Sequence, residues 1–280
     1  MRTRFAVTAL TILAGCIILP AQSTPSTSSD AARAATTSAP ATPAVSPAAL
    51  AILNRLEAAG AKYPNIVADV SFREDLIEMG ETMLYTGKVY YQAGASAQPA
   101  RFRIHFDTVR EGTGEKAKTF KSVEDFVFDG AWLTTRKEKI KQQVRYQVAP
   151  PGERIDALQL GKGPFPVPFG QKAETVLKYF TVETRPAKDS DPPGTDYIKM
   201  TARPERKGEL SVVWLEMYVQ REGQKHPGLP VRIVAEDRSE NRKTVQFETV
   251  QTPARHAGDT FTLAVPGADW EVRVEPYRKM

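Results

Sequence analysis

The sequence predicts a mainly β (α+β) domain, a strongly curved antiparallel sheet forming an incomplete barrel with two or three helices packed on its concave side. Three observations predict it. Apolar residues return at every second position in many short segments, as in Ile66, Ala68, Val70 and Phe72, which is the period of a half-buried strand. Asp129-Gly130 stands between the β-prone runs Val123–Phe128 and Ala131–Leu133, and such a pair favours a two-residue hairpin turn because it tolerates positive φ. Only two or three stretches carry the helical period, against about eleven strand-like ones.

The first residues precede any fold. Met1 to Arg4 hold two arginines, Phe5 to Leu13 form an apolar run, and small residues follow, the layout of a secretory signal over residues 1–22. Within it Leu13-Ala14-Gly15-Cys16 matches the lipobox of bacterial lipoproteins, in which a lipidated cysteine becomes the mature N-terminus. Cleavage by an ordinary signal peptidase near Ala21 or Gln22 also suits the run. Residues 23–47 are Ser, Thr, Ala and Pro with hardly a large apolar side chain, too little to offset chain entropy, so a disordered tether is expected. Residues 48–280 are expected to form one domain.

That domain opens with an amphipathic helix over Pro47–Ala59, with Ser46 as N-cap and Pro47 at its first position. Alternation then predicts strands from Ile66, over Met83–Tyr91 and over Arg101–Phe106, where Phe102, Ile104 and Phe106 share a face. The hairpin at Asp129-Gly130 follows, with a solvated turn at Arg136-Lys137-Glu138-Lys139 before the strand Gln143–Val148. Glu153–Leu160 fits a helical turn. Gly161–Gly170 is a Gly/Pro-rich loop that still presents Phe165, Val167 and Phe169, so it is expected to cover something apolar. Lys172–Phe180 reads as a second helix with Val176, Leu177 and Phe180 inward. Strands follow at Tyr197–Ala202, Leu210–Gln220, Pro230–Glu236, Thr244–Thr249, Thr260–Ala264 and Trp270–Glu275. No repeat period suggests a propeller or solenoid.

Composition narrows the function. Cys16 is the only cysteine, so the mature chain has no disulfide framework and no cysteine nucleophile, and its core alone must stabilise it. The formal charge of +5 includes Arg2 and Arg4, which leaves a surplus of three spread among interspersed signs. That pattern argues against a nucleic-acid footprint.

The order of motifs resembles the LolA/LolB family of periplasmic lipoprotein carriers and receptors. The matching residues are Leu53-Asn54-Arg55-Leu56, Ala68-Asp69-Val70-Ser71-Phe72, Gly87-Lys88-Val89-Tyr90 and Gln98-Pro99-Ala100-Arg101-Phe102-Arg103. They continue with Asp129-Gly130-Ala131-Trp132-Leu133, Gly163-Pro164-Phe165 and Phe261-Thr262-Leu263 before Pro266-Gly267, so the similarity spans about residues 48–276. The resemblance implies an incomplete β-barrel closed by helices, with a hydrophobic cavity for the acyl chains of lipoproteins in transit. Family carriers typically have an arginine before the proline of the third strand. Here Gln98 precedes Pro99, so the resemblance carries no arginine latch to this chain.

Catalytic patterns do not emerge. His105, His226 and His256 lie far apart without metal-ligand spacing, and neither Gly-x-Ser-x-Gly nor His-Glu-x-x-His occurs. His105 reads as an outward strand residue. Asp189, Asp191 and Asp196 form a loose calcium-like loop but lack the closing glutamate. Gly161-Lys162-Gly163 lacks the phosphate-loop spacing, and Glu74 and Asp75 fall on opposite faces of one strand. A non-enzymatic binder of acyl chains or lipoproteins in the cell envelope is therefore expected, without cofactor or metal, held at a membrane if Cys16 is lipidated. Its hydrophobic site is expected to use Val70, Phe72, Phe102, Ile104, Trp132, Phe165, Val167, Phe169, Leu177 and Phe180. The alternative is an envelope scaffold whose interior is filled by its own side chains.

Overall fold

The computed structural model describes residues 45–94, 99–150 and 170–277. The signal, the tether, Cys16, the expected turn at Glu153–Leu160 and the loop residues Phe165, Val167 and Phe169 lie outside them. Helix α1 (Pro47–Lys62) begins as its sequence requires, with the Ser46 hydroxyl accepting from the Ala49 N–H at 3.2 Å. Its buried stripe is Ala49, Ile52, Leu53, Leu56 and Ala59. The strands are β1 (Asn65–Leu76), β2 (Glu81–Gln92), β3 (Arg101–Glu111), β4 (Lys118–Phe128), β5 (Trp132–Lys137) and β6 (Gln142–Gln147), then β7 (Phe180–Arg185), β8 (Thr195–Ala202), β9 (Val212–Gln220), β10 (Pro230–Asp237), β11 (Arg242–Gln251) and β12 (Glu271–Glu275). Helix α2 (Ala173–Tyr179) precedes β7.

All twelve strands form one open, curved sheet in the order β12-β6-β5-β4-β3-β2-β1-β11-β10-β9-β8-β7. The chain starts in the middle with β1 and builds outward to β6, then restarts at the opposite edge with β7 and returns inward to β11, so β1 pairs with both β2 and β11. Registers define two faces. Val245, Phe72, Tyr85 and Val109 lie across one row of the inner face, and Val89, Ile104, Phe126 and Thr135 lie across another. The row Met217, Ile233 and Val245 continues that face through β9 to β11. Helix α1 packs against α2, β7 and β8, and its Arg55 reaches Asp196 on the inner face of β8.

Four details depart from the sequence reading, each for a visible reason. The hairpin turn is centred on Gly130-Ala131, not Asp129-Gly130: Asp129 donates its N–H to the Trp132 carbonyl, and its carboxylate accepts from the N–H groups of Ala131 and Trp132. Gly130, at φ 106, supplies the left-handed backbone. The expected second helix stops at Tyr179, because Phe180 is already extended (φ −128, ψ 147) and pairs with Ala202 to open β7.

Thr260–Ala264 is not a strand. It belongs to a strap, residues 252–270, that crosses the outer face of β2 to β5, and its carbonyls are taken by arginines rather than by a ladder. Arg103 donates to the Thr260 carbonyl and Arg136 to that of Ala264. Arg101 lies over the Phe261 ring at 4.9 Å and Arg136 over Trp270 at 5.3 Å. Beyond the strap, β12 runs parallel to β6, so the sheet is mixed rather than wholly antiparallel.

Candidate functional site

The inner face of β1 to β4 carries a continuous aromatic surface. Its rings are Phe72, Tyr85, Phe106 and Phe126, linked by centroid distances of 6.0 Å (Phe72–Phe106), 5.3 Å (Tyr85–Phe106) and 6.2 Å (Phe106–Phe126). Phe102 stacks on Phe128 at 5.5 Å beside them. Alternation places these rings together: Phe102, Ile104 and Phe106 point one way along β3, and the register sets Phe128 and Phe126 opposite the first two. Gly87 stands between Val70 and Phe106 on this face, and a bulge at Thr86/Gly87 brings its Cα so close to β3 that a Cβ would lie 1.9 Å from the His105 carbonyl oxygen.

Of the residues expected to line the site, Val70, Phe72, Phe102 and Ile104 fall within this surface and are buried. Phe180 is buried too, but on β7, at the far end of the sheet order. Leu177 is half-buried on α2. Trp132 is on the wrong face. Leu133 pairs with Phe128 on the inner side, so Trp132 points outward, where the Arg145 guanidinium covers its ring at 4.8 Å. The signal was present in the sequence, since residues adjacent in a strand take opposite faces and Leu133 is the inward one.

Sequence reasoning passed over Tyr85, Phe126 and Phe128 as site residues, and above all two inward carboxyls. Carrying the alternation of β1 one step past Phe72 reaches Glu74, and carrying that of β4 back from Phe126 reaches Glu124. Glu74 is 4% exposed and Glu124 is 9% exposed. Asp75 instead faces outward, held by Arg73 and Thr82. Lys243 stands 3.7 Å from Glu74 and Lys137 stands 3.7 Å from Glu124. Burial pushes the Glu74 carboxyl above its ordinary 4.5, against the pull of Lys243, and burial does the same to Glu124 against Lys137. Burial, together with Glu124 and Glu74, also pushes the Tyr85 phenol up.

A carboxyl with a raised folded-state pKa favours the fold while it is protonated and loses that contribution as pH rises through the raised value. Replacing both glutamates by glutamine is therefore expected to raise the denaturation midpoint at pH 8 and to leave it close to wild type at pH 4. Urea unfolding at the two pH values measures this; an equal shift at both would mean the carboxyls ionise freely in the fold.

Of the acidic residues between β7 and the start of β8, Asp191 and Asp196 are held by arginines. Arg185 grips Asp191 through both terminal nitrogens at 2.7 and 2.9 Å, while Asp196 receives Arg55 and Arg221. His105 lies on the outer face between Asp125 and Asp107, at 2.9 and 3.0 Å. Arg101, the arginine nearest Pro99 in sequence, also faces outward, bonded to Gln92 and covering Phe261.

No family model and no curated protein sequence matches the chain. Solved structures to which it is similar include an uncharacterized conserved protein from Thermus thermophilus, at 13% identity over 81% of this chain and 99% of that one, with a TM-score of 0.45. A LolA superfamily protein from Nitrosomonas europaea shares 12% identity over 77% and 97% of the two chains, TM-score 0.37. LprF from Mycobacterium bovis shares 13% over 76% and 98%, TM-score 0.39. The open curved sheet, with helices packed against β7 and β8, is the incomplete barrel expected from the sequence.

Proposed function

We propose that this protein binds the acyl chains of lipoproteins or other envelope lipids on the inner face of its sheet, and carries or receives them without covalent chemistry. The observation that carries this reading is the apolar surface of β1 to β4, built from Val70, Phe72, Phe102, Ile104, Phe106 and Phe126 on a sheet that does not close. Helices α1 and α2 pack at the β7–β8 end. Burial of each methylene of a hydrocarbon tail on such a surface would contribute about 0.8 kcal/mol, so affinity requires apolar area rather than reactive groups. The motif order shared with lipoprotein carriers points the same way.

Export and anchoring are proposed from residues 1–22. Mass spectrometry of the mature N-terminus is expected to find lipidated Cys16 in an anchored receptor, and an N-terminus near Ala21 or Gln22 in a soluble shuttle. For binding, organic extraction of the purified protein is expected to release acyl lipid, and a fluorescent fatty acid is expected to bind and be displaced by unlabelled fatty acid. A protein that is empty and fails to bind the probe would overturn the reading. It would favour the envelope scaffold with a filled interior, to which the exposures of Val70, Phe72, Phe102 and Ile104, only 3–6%, lend weight.

A further inference from the structure

We propose that strand β12, at one edge of the sheet, pairs antiparallel with the β12 of a second copy of this chain about a two-fold axis at Val272, joining two sheets edge to edge. The inference goes beyond the acyl-chain reading and stands independently of it.

The edge is open and carries no guard. Strand β12 ends the strand order and pairs with β6, and among the described residues nothing pairs with its other side, where a strand presents unpaired backbone N–H and C=O groups. Edge strands are usually protected by lysines, proline, a bulge or a covering segment. Glu271-Val272-Arg273-Val274-Glu275 has no lysine and no proline, and it keeps its register with β6 throughout. Val272 and Val274 lie beside Gln143 and Arg145 on the outer face and are 49% and 56% exposed. Two half-exposed β-branched residues on a free edge suit a further strand better than they suit water.

The charges say which strand fits. Arg273 and Glu271 form an ion pair with each other whose side chains are 59% and 50% exposed, so little is lost when it is exchanged for pairs across strands. With the axis at Val272, Glu271 of each copy faces Arg273 of the other, which makes two opposite-charge pairs, and Val272 faces its counterpart. An axis at Arg273 would set Arg273 against Arg273 and Glu271 against Glu275, all like charges. An axis at Val274 would set Val272 against Pro276, which has no N–H for a ladder. A two-fold axis closes the assembly at two copies. Five residues bury little area, so the dimer is expected to be weak, forming in concentrated solution and separating on dilution.

Sedimentation of the purified protein from low micromolar to near-millimolar concentration is expected to show monomer passing to dimer and no larger species, and hydrogen exchange is expected to slow in β12 as the dimer forms. Glu271→Arg and Arg273→Glu, each alone, set like charges opposite each other at both pairs and are expected to weaken the dimer about ten-fold or more. An equimolar mixture of the two variants restores both attractions and is expected to dimerise as wild type does. Only an axis at Val272 makes both single variants weaken and their mixture recover. Glu183→Arg on β7, the opposite edge, is expected to change nothing. A monomer at every concentration overturns the proposal, as does slowed exchange confined to other strands, a dimer indifferent to the two charge reversals, or one lost with Glu183→Arg. Every variant keeps the wild-type N-terminus, so a lipid at Cys16 affects all alike. The concentration series and the exchange map use the native protein, so they decide the matter even if a variant fails to fold, and either outcome leaves acyl-chain binding to its own test.

Discussion

Gly87→Ala is expected to lower the stability of the fold by about 3 kcal/mol, the upper end of what overpacking costs. The added Cβ would meet the His105 carbonyl oxygen at 1.9 Å and the Phe106 Cα at 2.7 Å. Both are backbone atoms of the neighbouring strand, so no rotamer change relieves the contact. Strand β3 must move away from β2, and β3 carries Phe102, Ile104 and Phe106 on the face proposed to hold lipid. For a domain of this size the midpoint of thermal unfolding is expected to fall by roughly 6–12 °C. Gly208→Ala is the control, because nothing lies within 4 Å of a Cβ there. An unchanged midpoint for Gly87→Ala would mean that β2 and β3 do not approach as described. In a variant that still folds, the fluorescent fatty acid is expected to bind more weakly, since the ring cluster is built from both strands.

Asp196→Ala is expected to cost about 2 kcal/mol and to change how the protein responds to acid. Asp196 joins Arg55 of α1 to the start of β8 and also accepts from Arg221 at 2.7 Å. It therefore fastens the opening helix to the sheet. Its removal leaves Arg55, whose side chain is 16% exposed, without its carboxylate. The estimate lies below that for a fully buried pair because Asp196 is 28% exposed and Arg221 is 44% exposed. Burial acts to raise the Asp196 carboxyl, but the hydrogen bonds from Arg221 and Arg55 together outweigh it and hold the carboxyl below its ordinary 3.8.

A depressed folded-state value favours the fold above the unfolded pKa, and that contribution disappears as pH falls through the folded one. Wild type is expected to lose this part of its stability below about pH 4, and the alanine variant to lack it already at neutral pH. Denaturant unfolding of the two proteins from pH 7 to pH 3 measures the difference, which should narrow with acid. A constant difference would mean that Asp196 acts through packing rather than charge.

Much of the sheet was legible because its information is local. The cap Ser46-Pro47, the alternation of β1 to β3 and the turn expected at Arg136–Lys139 each depend on neighbours a few residues away. Part of the site was equally legible and was read too narrowly. The period of two that placed Phe72 inward also places Glu74 inward, and the one that placed Leu133 inward turns Trp132 out. The start of β7 was hidden because Phe180 completes a helical spacing with Val176 and Leu177, and only its pairing with Ala202 of β8 makes it extended.

By itself the chain determined a β-rich domain with one long opening helix, an apolar face and no recognisable catalytic pattern, since periodicity and capping act over a turn or a strand pair. The tertiary structure alone decided that Glu74 of β1 meets Lys243 of β11, that residues 252–270 cross the outer face to make the last pairing parallel, and that Asp196 ties helix to sheet. These arrangements join residues more than a hundred positions apart. Side-chain charge and register across a curved sheet bring them together, and neither leaves a local mark in the sequence.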